Sequence, residues 1–126
     1  MSRYLVGTHH PQHALPPRAM WVAVRDGSLV GYVAGHLTRR YACDGELQWL
    51  YVTTADRRSG IASALFGLLA GWFAEHGARR VCVNVDDSAA REFYRSRGAD
   101  ELHEHWMVWS DVARAAPPSA TEFTGL

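Results

Sequence analysis

The 126 residues are enough for one domain with a core and too few for two. Apolar residues make up 48% of the chain, and 13 basic side chains offset 13 acidic ones, a globular balance with no field of one sign for nucleic acid or an anionic membrane. The longest apolar stretch, residues 61–74, contains Ser63 and two glycines and is too short to span a bilayer; with no secretory signal pattern at the start, a cytoplasmic protein with reduced Cys43 and Cys82 is expected.

Residues 1–20 carry three prolines and three histidines with little periodicity and read as an irregular arm. Strand formers fill 21–25, Asp26-Gly27 is a hairpin signal, and 29–37 reads as a second strand. Asp44-Gly45 marks the next turn before a third strand at 46–52, which completes an antiparallel meander. The period then becomes helical: Ile61, Leu65, Leu68 and Trp72 repeat, and Phe66, Leu69 and Phe73 widen the stripe. Ser59 or Gly60 starts this helix and Gly77 stops it. Residues 81–85 read as a strand, Ser88 as the cap of a helix over 89–97 closed by Gly98, and 106–109 as the last strand. The Pro-, Ala- and Ser-rich residues 113–126 read as a mobile tail, which leaves one domain over 21–112. The fold class is α/β with a mixed sheet, and the crossover from 46–52 through a helix to 81–85 should be parallel and right-handed. Trp21, Trp49, Trp106 and Trp109 are expected in the core.

Chemistry concentrates where the third strand hands over to the helix, Val52-Thr53-Thr54-Ala55-Asp56-Arg57-Arg58-Ser59-Gly60-Ile61-Ala62. The first amides of a helix lack intrahelical acceptors and carry partial positive charge. Gly60 and Ala62 would let a pyrophosphate approach the backbone, and Arg57 and Arg58 add charge. The alternative is an ordinary helix start with two solvated arginines. A Gly-Lys-Ser/Thr nucleotide loop is excluded, since all 13 basic residues are arginine.

This segment resembles the most diagnostic motif of the GNAT superfamily of N-acetyltransferases, Gln/Arg-x-x-Gly-x-Gly/Ala after a strand ending in an aliphatic residue. The resemblance runs over about 21–112 and includes Asp87-Ser88-Ala89-Ala90-Arg91-Glu92-Phe93-Tyr94-Arg95-Ser96-Arg97-Gly98-Ala99, with Asp87 where asparagine is usual and Ala99 where phenylalanine is usual. It implies a GNAT-like fold that binds acetyl-CoA through Tyr51, Val52, Arg57, Arg58, Ser59, Gly60, Ile61 and Ala62, and through Asp87, Ala90 and Phe93 of the second segment. It also implies direct acetyl transfer to a primary amine of a small molecule or peptide. Glu46, six residues before Val52, stands where histone-acetylating relatives carry their base; otherwise it is a strand-edge surface glutamate. Tyr94 stands where the family protonates the departing thiolate; otherwise it packs on the sheet beside Phe93. A backbone amide in the Tyr51-Val52 region would polarise the thioester carbonyl. An apolar setting from Trp49, Leu50 and Tyr51 could desolvate Glu46.

The family's usual strand and two helices before the first strand do not fit in 20 residues. The sheet surface they cover is therefore expected to associate, giving a homodimer. The same feature raises an alternative function, a non-catalytic acyl-CoA-binding or regulatory module. No metal is expected: Pro11 breaks the spacing of His9, His10 and His13, and no carboxylate cluster accompanies them. His36, His76, His103 and His105 read as surface or packing residues, with His105 able to reach an acceptor pocket.

Overall fold

The computed structural model describes residues 2–3 and 14–16 as backbone and residues 17–57 and 60–115 in full. Seven strands form one sheet: β1 (Ser2–Arg3), β2 (Ala14–Arg25), β3 (Ser28–Thr38), β4 (Gly45–Val52), β5 (Val81–Asn84), β6 (Asp100–His103) and β7 (Trp106–Trp109). Their spatial order is β1-β2-β3-β4-β5-β7-β6, and β4–β5 is the parallel pair. Helix α1 (Ile61–Glu75) makes the crossover between β4 and β5, and α2 (Ser88–Ser96) follows β5.

Asp26-Gly27 makes the β2–β3 turn with φ of 53° and 79°, the left-handed pair that a two-residue hairpin demands. Side chains alternate across the sheet. On β3 and β4, Gly31, Val33, Gly35, Leu47 and Val52 face α1. A Cβ on Gly31 would lie 3.3 Å from Leu65, one on Gly35 2.9 Å from Leu69, and one on Gly45 2.4 Å from Phe73. Three side chains of α1, spaced four residues apart, thus sit over three glycines of the sheet. This seam runs into the main core, which holds Val33, Leu65, Leu69, Phe73, Val81 and Trp109. Helix α2 joins on the same face, where Phe66 packs on both Phe93 and Trp109. The opposite face carries a small second cluster of Cys43, Cys82 and Val108, with Leu102 and Trp106 against it.

Four expectations are corrected. Residues 14–20 are not an irregular arm; they extend β2, and β1 pairs with Val22 and Trp21. Pro16 and Pro17 fall in the register shift between Leu15 and Arg18, the irregularity in which a residue without an N–H is tolerated. Strand β6 was not foreseen because Asp100, Glu101 and His103 make three of its four residues polar; it pairs with β7 and Glu101 binds Arg91 and Arg95 of α2. Asp87, not Ser88, caps α2, accepting from the Ala90 amide at 2.7 Å. Residues Val112–Ala115 form a 3-10 turn with Val112 in the core, and the rest of the tail lies outside the described residues.

Candidate active site

Strands β4 and β5 pair only over Gly45↔Val81, Glu46↔Cys82 and Leu47↔Val83. Beyond Leu47 an extra residue enters β4, since Gly35 pairs with Leu47 and Ala34 with Trp49. A bulge of this kind bends a strand, and from there β4 runs on to Val52 while β5 ends at Asn84 against β7. The two strands part, and among the described residues the β5 side of residues 48–52 has no strand partner.

At the far end of β4 the loop is tied down. Thr53 donates from its amide to the Val30 carbonyl at 2.9 Å and from its hydroxyl to Asp56 at 2.7 Å. Asp56 also takes Arg25, at 2.6 Å. Arg57 donates through Nε to the Val52 carbonyl at 3.1 Å, so it closes the loop rather than simply hanging in solvent. Gly60 then occupies the position before α1 with φ of 90°, a conformation that disfavours any residue with a Cβ. A Cβ there would meet nothing within 4 Å, so the space over it is open. The first intrahelical bond is Ala64 N–H to the Gly60 carbonyl, and Gly60 at the cap position has no side chain to bond the first amides. The amides of Ile61, Ala62 and Ser63 therefore precede the helical ladder, an arrangement suited to a phosphate. The Ile61 side chain is buried in the core, so only its backbone is available to a ligand, and Ala62 packs partly against the core. Arg58 and Ser59 lie outside the described residues.

Tyr94 is buried on the α1 face, edge-on to Trp109 at 5.6 Å and to Phe93 at 5.6 Å. Burial, and secondly the charge of Asp87, pushes its phenol well above the usual range. Asp87 spends its carboxylate on the α2 cap and Ala90 spends its amide there. Arg97 was not foreseen: it donates to the Ser63 hydroxyl and stacks over Phe93 at 4.9 Å, tying the end of α2 to the first turn of α1. No spacing rule marks such a contact in the sequence.

Glu46 lies on the other face, in the middle of the three paired steps, one before the strands part. It is buried, but not by the aromatic residues expected to desolvate it: Trp49 is 53% and Tyr51 43% exposed, Tyr51 lying 5.5 Å from Tyr32. Trp49 is thus no core residue. Arg40 instead donates to Glu46 Oε1 at 3.1 Å, and His36 Nε2 stands 4.0 Å from the same oxygen. Arg40 belongs to a 3-10 turn, Arg40–Ala42, whose Tyr41 and Ala42 have φ of 53° and 59°, a conformation costing ~1–2 kcal/mol per residue. Tyr41 packs on Trp106, and Arg40 sits 5.1 Å above the same ring. His36 is fully buried, a packing position rather than a surface one. The signal for it was the strand alternation, but pairing it with Glu46 needed the length of the β3–β4 turn. His105 is exposed with φ of 67°, 3.6 Å from Asp86 and from Glu104. Among the described residues no His, Cys, Asp or Glu cluster could hold a metal ion, and no helix is long and apolar enough to cross a membrane.

Glu46 and Tyr94 thus stand on opposite faces of the sheet, Glu46 in the paired part of β4 and Tyr94 against Trp109, with an open helix N-terminus beyond β4. Residues 2–99 match the family described as "Acetyltransferase (GNAT) family", and the chain belongs to it. No curated protein sequence matches the chain. Solved structures share the fold at low identity. An acetyltransferase of the GNAT family from Desulfovibrio desulfuricans is 18% identical with a TM-score of 0.66, over 76% of this chain and 70% of that one. The PaiA N-acetyltransferase of Thermoplasma acidophilum, in complex with coenzyme A, is 18% identical with a TM-score of 0.61, over 72% of this chain and 58% of that one. An aminoglycoside 6'-N-acetyltransferase complexed with coenzyme A is 20% identical with a TM-score of 0.62, over 74% and 72% of the two chains.

Proposed function

We propose that this chain is an acetyl-CoA-dependent N-acetyltransferase that acetylates a primary amine of a small molecule or peptide. The observation that carries the reading is the parting of β4 and β5 before the helix N-terminus that Gly60 opens. Acetyl-CoA supplies the activated acyl group. The amides of residues 61–63, opened by Gly60, fit its phosphates, with Arg57, Arg58 and Ser59 preceding them in sequence to add charge and a hydroxyl. Backbone at Tyr51 and Val52 takes the acyl oxygen, and Asp87, Ala90 and Phe93 line the pantetheine side. Glu46 receives the proton an ammonium must lose before it can attack. Tyr94, held protonated by burial, gives its proton to the departing sulfur.

A non-catalytic acyl-CoA-binding module is the second reading, favoured by the Arg40 guanidinium already seated on Glu46. Thiol release from acetyl-CoA across a panel of primary amines tests the first reading, with calorimetry of coenzyme A alongside. Release that depends on an amine supports the enzyme. Tight binding with no release from any amine supports the module, and no binding sinks both.

A further inference from the structure

The His36 ring has a fixed tautomer and an unanswered nitrogen. Its Nδ1 lies 2.8 Å from the Leu37 carbonyl, which can only accept, so Nδ1 carries a hydrogen. Its Nε2 is buried and has no hydrogen-bond partner among the described residues. In neutral imidazole this Nε2 is an acceptor, and it faces another acceptor, Glu46 Oε1, at 4.0 Å. Two acceptors facing each other in a buried site are unfavourable, because each is left without the hydrogen bond it had in water. One additional proton resolves the conflict. The groups facing the pair are Arg40, which donates to Glu46 Oε1 from the 3-10 turn, Arg18, the cross-strand partner of His36 on β2, and Cys82, the partner of Glu46 on β5; the two guanidiniums oppose a charge on the ring and the Glu46 carboxylate favours it. Glu46 keeps 11% of its side-chain surface open while His36 has none, so the carboxylate is the door to the ring.

We propose that His36 and Glu46 form one proton-holding pair, and that the pair, rather than Glu46 alone, takes the proton of the acceptor ammonium. An N–H bond of the ammonium breaks, and the amine keeps the electron pair with which it attacks. The proton passes through the Glu46 carboxylate to His36 Nε2, where an N–H bond forms facing Oε1. His36 acts through Glu46 and is a positioning residue; Glu46 is the group that meets the amine. Only the identity of the proton donor rests on the acetyltransferase reading, because the pairing itself stands on the geometry of the two side chains.

The test uses the full chain with 15N-labelled histidine and no substrate. The His36 ring, with hydrogen on Nδ1 alone while the pair is empty, should gain one on Nε2 as pH falls in the wild type and do so less readily in Glu46→Gln. A ring state that is the same in both proteins over about pH 5–9, the range around the ordinary histidine transition, overturns the pair. With an amine that supports thiol release, His36→Gln should keep coenzyme A affinity and lose about tenfold or more in rate at neutral pH, the lower end of acid–base contributions. Rate should return as pH rises and the amine deprotonates in solution. An unchanged pH profile in a folded His36→Gln overturns the proton transfer. If that variant fails to fold, the Glu46→Gln comparison still decides the pairing. A wild type that acetylates no amine, yet shows the His36 ring responding to Glu46→Gln, removes the acetyltransferase reading and keeps the pair.

Discussion

Tyr94 sits where an ionised phenol would be poorly solvated, so its hydroxyl keeps its proton throughout the neutral range and remains free to give it up. Tyr94→Phe removes one oxygen and keeps the ring, so coenzyme A affinity should hold while turnover falls at least about tenfold. The same burial has a stability consequence with a definite sign. A phenol raised on folding contributes stability that is fully present below its unfolded value of about 10 and is lost as pH rises beyond it. Denaturant titrations at alkaline pH should show that loss in the wild type and a smaller one in Tyr94→Phe. Cys43 and Cys82 are both free and buried, and burial pushes both thiols up. Because the thiolate is the reactive form, a thiol reagent at pH 8 should titrate neither in the native protein and both in guanidinium. Rapid native reaction at Cys82 would show that the second face opens.

At the scale of elements, the glycine before α1 separates strain from chemistry. Gly60→Ala meets no neighbouring atom and costs only its left-handed backbone, ~1–2 kcal/mol. Gly60→Asp adds a carboxylate beside the amides of residues 61–63, where it competes with phosphate. Calorimetry should show coenzyme A affinity falling far more in Gly60→Asp than in Gly60→Ala. Equal affinities would move the phosphate site elsewhere. The strand–helix handover was legible because it is local: an aliphatic strand end, a polar loop, a glycine and a 3.6-residue stripe all lie within 30 residues of sequence. The meander was legible for the same reason. What escaped prediction depends on register. The Glu46–Arg40–His36 contact depends on the length of the turn between β3 and β4, which sets His36 against Glu46, and the bulge beyond Leu47 then reverses which side chains of 49–52 share a face. Proline blinded the reading of residues 14–20, because Pro16 and Pro17 argue against a strand unless the irregularity that houses them is known.

Considered as a whole molecule, the sheet has one face filled by two helices and another left partly open, where Trp49, Tyr51 and Tyr32 share one surface. Exposed apolar patches favour association, and we propose that a second copy covers this one. Light scattering at tens of micromolar should give a dimer mass, and Trp49→Ser should shift it toward monomer; a monomeric wild type rejects the proposal. On the filled face, Gly31→Ala would put a methyl 2.7 Å from the Tyr51 carbonyl, a backbone atom with little freedom to retreat. Overpacking of this kind costs roughly 1–3 kcal/mol, to be read from the denaturation midpoint. The seating of Leu65, Leu69 and Phe73 over Gly31, Gly35 and Gly45 works like a toothed rack. A helix meshed at three teeth can neither slide nor turn unless all three disengage together. The height of its leading end above the parted strands is therefore gauged from its trailing end, about 18 Å away at 1.5 Å per residue from Ile61 to Phe73. A blunted notch at Gly45 would be felt at that distance as a phosphate seat out of true, so the grip on coenzyme A is set in part by a glycine that never comes near it.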